Sequence, residues 1–173
     1  MSVELTRNRK IGLGVAALVF ASDQLIKWLV DGPLGLAREF DKIDLLPFFD
    51  LYRIHNRGVS LGLFQANSDE TRWILVGVTA LIAIVVAVWM FRERLLGDII
   101  GLGLILGGAL GNIVDRARFG YVLDYADFHI GDFRPFLIFN VADAAITIGV
   151  VIILVRSFFV SDKERQAEAA EQE

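Results

Sequence analysis

Asp143 stands in an apolar run, Leu137 to Val160, that is long enough to cross a bilayer, and no basic residue lies within four positions of it. An acid there is costly to hold in lipid, so it marks a functional cavity by default. Three further acids fall near the ends of apolar windows: Asp23, Asp115 and Asp124. Asp23 has Lys27 one helical turn away, and Asp115 is followed by Arg116 and Arg118, so local cations keep both ionised and fit them for orienting roles. Asp124, in Val122-Leu123-Asp124-Tyr125, has no base within four residues, as Asp143 has none. If folding brings these two together, desolvation and mutual repulsion keep one protonated while the other stays ionised. One acid and one base can then share a water and drive it onto a peptide carbonyl.

Four windows could carry these groups across a membrane: 11–30, 73–91, 97–114 and 137–160. About 20 apolar residues span roughly 30 Å of hydrocarbon. The remainder is a 42-residue loop (31–72), a 22-residue loop (115–136), a tight turn at 92–96 and an Ala/Glu/Gln-rich tail (161–173), which predicts a single membrane domain. The run after Arg7, Arg9 and Lys10 carries Asp23 and Lys27, which the apolar core of an export signal would not, so the first window reads as a retained span. Asp23 lies seven residues before the end of the first window and Asp143 six after the start of the fourth. Both therefore sit about 10 Å below one membrane surface. Asn112, Asp115 and Arg116 close the third window at that level, and Asn140 shares a helix face with Asp143. The second window has only Thr79 as a polar side chain and reads as a packing helix facing lipid.

Of 173 residues, 55% are hydrophobic and mean hydropathy is +0.55. With a net charge of −4 and no basic stripe, nucleic acid is not an expected partner; with no cysteine, disulfides, thiolate metal sites and a cysteine nucleophile are excluded. With Arg156 assigned to the tail, Lys and Arg outside the spans divide eight to eight between the two sides. The side of the termini is about half as long, so its density of basic charge is about double, which predicts cytoplasmic termini.

Other features read as structure. Gly103, Gly107 and Gly111 form overlapping GxxxG patterns suited to close helix packing, and Trp28, Trp73 and Trp89 at window ends suit interface anchoring. The local pair Asp23 and Lys27 also reads as two charges that make each other tolerable in the membrane. Asp124, Asp127, His129 and Asp132 could suggest a metal site, but their spacing matches no calcium loop and no helical HExxH is present, so no metal or other cofactor is expected. In the long loops, Leu51 to His55 alternates like a strand, Phe128 to Asp132 carries a hairpin turn signal, and Leu45-Leu46-Pro47-Phe48-Phe49 is an apolar patch. The fold expected is an all-α integral membrane bundle of four transmembrane helices, with a small extracytoplasmic β platform and an amphipathic surface element roofing the site.

Four ordered blocks give the chain a family likeness: Asp23-Gln24-x-x-Lys27; Asn56-x-Gly58 with Gly62 and Phe64; Gly107-Gly108-x-x-Gly111-Asn112-x-x-Asp115-Arg116 continuing to Gly120-x-Val122-x-Asp124; and Phe139-Asn140-x-Ala142-Asp143. In this order, over nearly the whole chain, they resemble the bacterial lipoprotein signal peptidases (signal peptidase II), aspartyl proteases of the inner membrane. The resemblance implies that Asp124 and Asp143 are the catalytic pair. It implies that Asp23, Lys27, Asn56, Asn112, Arg116 and Asn140 orient the pair or bind substrate, with Asp115, Gly58, Gly108 and Gly111 structural. It further implies a prolipoprotein substrate carrying a diacylglyceryl cysteine, cleaved just before that cysteine near the outer leaflet, by a monomeric enzyme among membrane lipids with no metal. Val59-Ser60-Leu61 departs from the family pattern of two small residues and an aromatic, which bears on the loop covering the site. A proton-coupled transporter or relay is the competing class. It should place ionisable groups along the whole membrane normal, whereas here the inner halves of the spans carry charge only at Arg92, Arg94, Asp98 and Arg156.

Overall fold

The computed structural model describes residues 3–58, 69–159, 167 and 170–171. The departure at Val59-Ser60-Leu61, the motif positions Gly62 and Phe64, and nearly all of the tail lie outside the described residues. Four helices carry the chain, α1 (Val3–Asp31), α2 (Asp69–Arg92), α3 (Leu96–Phe119) and α4 (Val141–Phe159). Each is long and apolar enough to cross a bilayer, and the protein is a multi-pass membrane protein.

Helix ends follow from local chemistry. Asp69 and Glu70 open α2 and Arg92 closes it, each charge opposing the helix dipole at its end. α3 stops at Gly120, which takes φ 82° and returns its N–H to Arg116 O. Arg72 of α2 donates to the same Arg116 O and to Ala117 O, at 2.9 and 2.6 Å, satisfying the last carbonyls of α3. This third helix outruns the apolar window by five residues, so Asp115 and Arg116 are helical rather than part of a loop. α4 begins later than expected, at Val141 instead of 137. Asn140 is its N-cap, accepting Asp143 N–H at 2.9 Å.

α3 is the hub, with α1, α2 and α4 packed around it. A Cβ on Gly107 would stand 2.5 Å from Ala16 O of α1, and one on Gly108 would collide with the Ala142 carbonyl of α4, so helix backbones meet at these positions. Ile99, Leu102 and Leu106 bury against Ala16, Ala83 and Met90. Leu81, Ile84 and Val85 of α2 and Val151 and Leu154 of α4 stay exposed, a lipid-facing surface. α2 is not wholly a lipid-facing spacer, because its Leu75 and Thr79 reach the cavity described below. The Thr79 hydroxyl is satisfied by Leu75 O at 2.8 Å.

A three-stranded antiparallel sheet, β1 (Lys42–Leu46), β2 (Phe49–Asn56) and β3 (Val122–Phe128), covers one end of the bundle in the order β1-β2-β3. The strand-like stretch Leu51 to His55 lies in β2, and Gly131, at φ 60°, turns the chain so that Ile130 pairs with Phe133. The apolar patch is the tip of the β1–β2 hairpin, where Leu45, Leu46 and Phe48 are exposed. β3 is buried along nearly its whole length, with Leu123, Tyr125 and Ala126 joining Val30 and Leu36 in a second core.

Candidate active site

The segment before α4 is stitched to β3. Tyr125 and Ala126 both donate their N–H to Phe139 O, at 3.1 and 2.8 Å, and Phe139 N–H returns to Ala126 O at 3.2 Å. That pairing delays the helix start and lays Asn140 beside the strand that carries Asp124. Asn140 Nδ2 donates to Asp124 Oδ1 at 2.6 Å, while Asn140 Oδ1 caps the N–H of Asp143. One carboxamide thus touches both acids singled out from the sequence.

Two more carboxamides complete the setting. Asn56, the last residue of β2, donates to Asp124 Oδ2 at 3.0 Å and accepts Gly58 N–H at 3.2 Å. Asn112 of α3 donates to Asp143 Oδ1 at 2.8 Å. Asp124 and Asp143 line one cavity together with Asn56, Asn112 and Arg116. Among the described residues neither acid is in an ion pair; their side-chain partners are neutral amides. Burial, reinforced by the charge of Asp143, pushes the Asp124 carboxyl up to about 7 against the opposing pull of its two amide donors. Asp143 sits in the first turn of α4, where the helix dipole favours negative charge.

Behind this layer lies a buried charge cluster. Lys27 Nζ is 2.8 Å from Asp23 Oδ2, 2.8 Å from Asp115 Oδ2 and 3.4 Å from Asn112 Oδ1. The cation of Asp115 is therefore Lys27 of another helix, and not Arg116 or Arg118 as the sequence suggested. Arg116, one position on, points to another face of the helix, and Arg118, though one turn on, lies over the Phe119 ring instead, so nearness in sequence did not make these a pair. Asp115 Oδ2 also accepts Leu123 N–H at 3.3 Å and Asp23 Oδ1 accepts Ala142 N–H at 3.0 Å, so the cluster holds the ends of β3 and α4 that carry the two cavity acids. A Cβ at Gly111 would stand 2.5 Å from Asp23 Oδ2. Asp23, Lys27, Asp115 and Asn140 are not in the cavity lining. Arg116 is: its guanidinium donates to Gly58 O at 3.2 Å and its charge acts on Asp143 and Asp124.

Gln24 escaped the sequence reading as a site residue. It donates to Asp115 Oδ1 at 3.0 Å, and its being a polar side chain within an apolar span was the available signal. Three of the four residues weighed as metal ligands go to separate partners: Asp127 to Arg134 at 3.1 Å, His129 to Asp50 at 2.8 Å, and Asp124 to its amides. Among the described residues no three His, Asp or Glu side chains are grouped to hold a metal.

Comparison with known proteins bears on this arrangement. The profile of the signal peptidase (SPase) II family matches residues 15–159. The chain is 55% identical over 160 residues to the lipoprotein signal peptidase of Sphingopyxis alaskensis, covering 92% of each chain. It is 53% identical over 161 residues to that of Rhizorhabdus wittichii, covering 93% of each. Its fold is similar to that of a bacterial membrane enzyme solved by the in meso method at 2.3 Å resolution, with a TM-score of 0.76 at 24% identity over 90% of this chain and 92% of the other. A second such enzyme, at 1.9 Å, gives a TM-score of 0.73 at 25% identity over 88% and 95%. A match over most of the chain, with relatives alike in more than half their residues, means that the chain belongs to the signal peptidase II family.

Proposed function

We propose that the protein is an intramembrane aspartyl endopeptidase that removes signal peptides from diacylglyceryl-modified bacterial prolipoproteins, cutting on the N-terminal side of the lipidated cysteine. The observation that carries this reading is the pair Asp124 and Asp143 in one cavity, held by Asn56, Asn140 and Asn112 with no cation bonded to either among the described residues. Asp124, whose carboxyl is pushed up to about 7, suits the proton-carrying partner; Asp143, at the start of α4, suits the ionised base. A water between them gives a proton to Asp143 as its oxygen attacks the scissile carbonyl carbon, and Asp124 donates its proton to the carbonyl oxygen. The tetrahedral intermediate then collapses: the proton on Asp143 passes to the leaving amine as the C–N bond breaks, and one hydroxyl of the intermediate returns its proton to Asp124 as the new carboxyl group forms. No metal or nucleotide takes part.

Arg116, in the lining, suits a carbonyl or headgroup oxygen of the substrate, while Asp23, Lys27 and Asn140 suit orientation from behind. The whole chain then works as one membrane domain in the inner membrane, with cytoplasmic termini and the sheet on the outer side. A dyad at the sheet end of the bundle would meet a bond next to a lipid-bearing cysteine without drawing that lipid out of the bilayer. The relay reading lacks support, since no ionisable side chain lies between Asp98 and Asp115 on α3 or between Asp143 and Arg156 on α4. The test is cleavage of a diacylglyceryl-modified precursor peptide by the purified protein. Asp124→Asn and Asp143→Asn should each abolish it while remaining folded, and full activity in either variant would shift the role to Asp23 or Asp115.

A further inference from the structure

His55 precedes Asn56 at the end of β2 and lines the same cavity. Its ring lies flat on Tyr121, with centroids 3.8 Å apart and planes 18° from parallel, and Tyr121 immediately precedes β3. Both ring nitrogens are engaged. Arg53 Nε donates to His55 Nε2 at 3.1 Å, and His55 Nδ1 stands 3.3 Å from Glu39 Oε2. The other oxygen of Glu39 accepts the backbone N–H of His55 at 3.3 Å.

An arginine guanidinium only donates, so Nε2 must present a lone pair and the ring proton must sit on Nδ1, facing the carboxylate. Arg53 has no freedom to give way, because it is buried and also held by Asp31, by Leu36 O and, at 3.4 Å, by Tyr121 Oη. A second proton on the ring would set two donors against each other. The ring would then swing off Tyr121, and Asn56, the last residue of β2 paired to β3, would lose the support next to it.

We propose that His55 is a positioning residue: held as the neutral Nδ1–H imidazole between Arg53 and Glu39, it keeps the Asn56 carboxamide on Asp124 and releases it when protonated. The proposal rests on reading Asp124 as a reacting acid. Five groups face the ring. Glu39, from the segment before β1, and Asp31, at the end of α1, favour protonation; Arg53 of β2 and Arg57 just beyond it oppose it; and Tyr121 supplies the stacking face. Burial, aided by the two arginines against the two acids, holds the imidazole below its ordinary value.

The chain has two histidines, His55 and His129, so a His129→Gln variant leaves a single imidazole to observe. Nitrogen-15 imidazole spectra of that protein in detergent should show His55 protonated on Nδ1 at pH 7.5 and still neutral well below the ordinary histidine range. An Nε2–H tautomer, or an ordinary titration, overturns the proposal. The kinetic arm follows kcat and KM against pH on the lipid-modified precursor peptide. His55→Phe keeps the stacking face and loses both nitrogens, so kcat should fall about tenfold, less than the ~10²-fold of a 1 Å misplacement. KM should stay within about twofold, and the steepest acid limb of the kcat profile should be lost. A loss confined to KM, or an unchanged pH profile, overturns the positioning role. The spectra need no variant at position 55, so a misfolded His55→Phe protein would not decide the matter. Full activity in Asp124→Asn would remove the dyad reading and the kinetic arm with it; an ordinary His55 titration in an enzyme that needs Asp124 overturns this proposal alone.

Discussion

Asp23 of α1 and Ala142 of α4 are joined by a hydrogen bond of 3.0 Å, from the Ala142 N–H to Asp23 Oδ1. The second residue of a helix has no carbonyl of its own to bond, so this side chain supplies the missing acceptor in a buried setting. With Asn140 capping Asp143 from the other side, the first turn of α4 is held at the level of Asp23.

Asp23→Ala should therefore do more than remove a charge. It orphans the Ala142 N–H and one contact of Lys27, and a buried unsatisfied group costs about 1–3 kcal/mol. Thermal unfolding in detergent should show that loss, with reduced cleavage from a displaced Asp143. Wild-type stability would mean that the cap is not used.

Lys27→Ala takes the cation from between two buried carboxylates, Asp23 and Asp115. Removing one member of a buried pair costs roughly 3–5 kcal/mol. Stability should fall more than in Asp23→Ala, while activity per folded molecule falls less than in either dyad variant. An activity loss equal to that of Asp143→Asn would argue that Lys27 meets the substrate.

Gly108→Ala would drive a methyl group into the Ala142 carbonyl, whereas a Cβ at Gly14 meets nothing within 4 Å. Overpacking of this kind costs about 1–3 kcal/mol. Because α4 must yield and α4 carries Asp143, the activity loss should exceed what the stability loss explains. Gly14→Ala should be neutral or stabilising by up to ~1 kcal/mol, and equal behaviour of the two variants would refute the close-contact argument.

The Asp124 carboxyl gives a pH signature. Its proton is held up to about 7 in the folded protein, against an ordinary value of 3.8. The unfolded chain releases that proton first, so this group weakens the fold progressively as pH rises from about 4 to about 7. Asp124→Asn removes the cost. Its melting temperature should exceed wild type at pH 8, and the gain should shrink toward zero near pH 4. A gain independent of pH would mean that the carboxyl is not perturbed by its setting.

Much of this architecture is legible locally. The expected β segments at Leu51 to His55 and around Gly131 are present because alternation and turn residues act over a few positions. The start of α4 is not legible in the same way, because Leu137 to Phe139 are apolar enough to extend the helix and it is backbone pairing of Phe139 with Tyr125 and Ala126 that keeps the chain out of it. Asp115 was matched to the wrong cation for a related reason, since nothing in the spacing of α3 reveals that Lys27 of α1 arrives beside it.

By itself the sequence determined that four segments cross the membrane, because in lipid a backbone must satisfy its own hydrogen bonds and length and apolarity suffice to say which segments do so. It also determined that Asp124 and Asp143 have no neighbouring cation, a property of the chain within four residues of each. Only the tertiary structure decided that these acids share a cavity, that three asparagines from β2, α3 and the start of α4 hold them, and that Lys27 binds two carboxylates behind them. The asparagine contacts with the two carboxyls join residues 16 to 68 apart. Their meeting depends on how far each helix slides and turns against α3, which is set by backbone contacts at Gly107, Gly108 and Gly111 and by the caps of α4, none of which a local periodicity encodes.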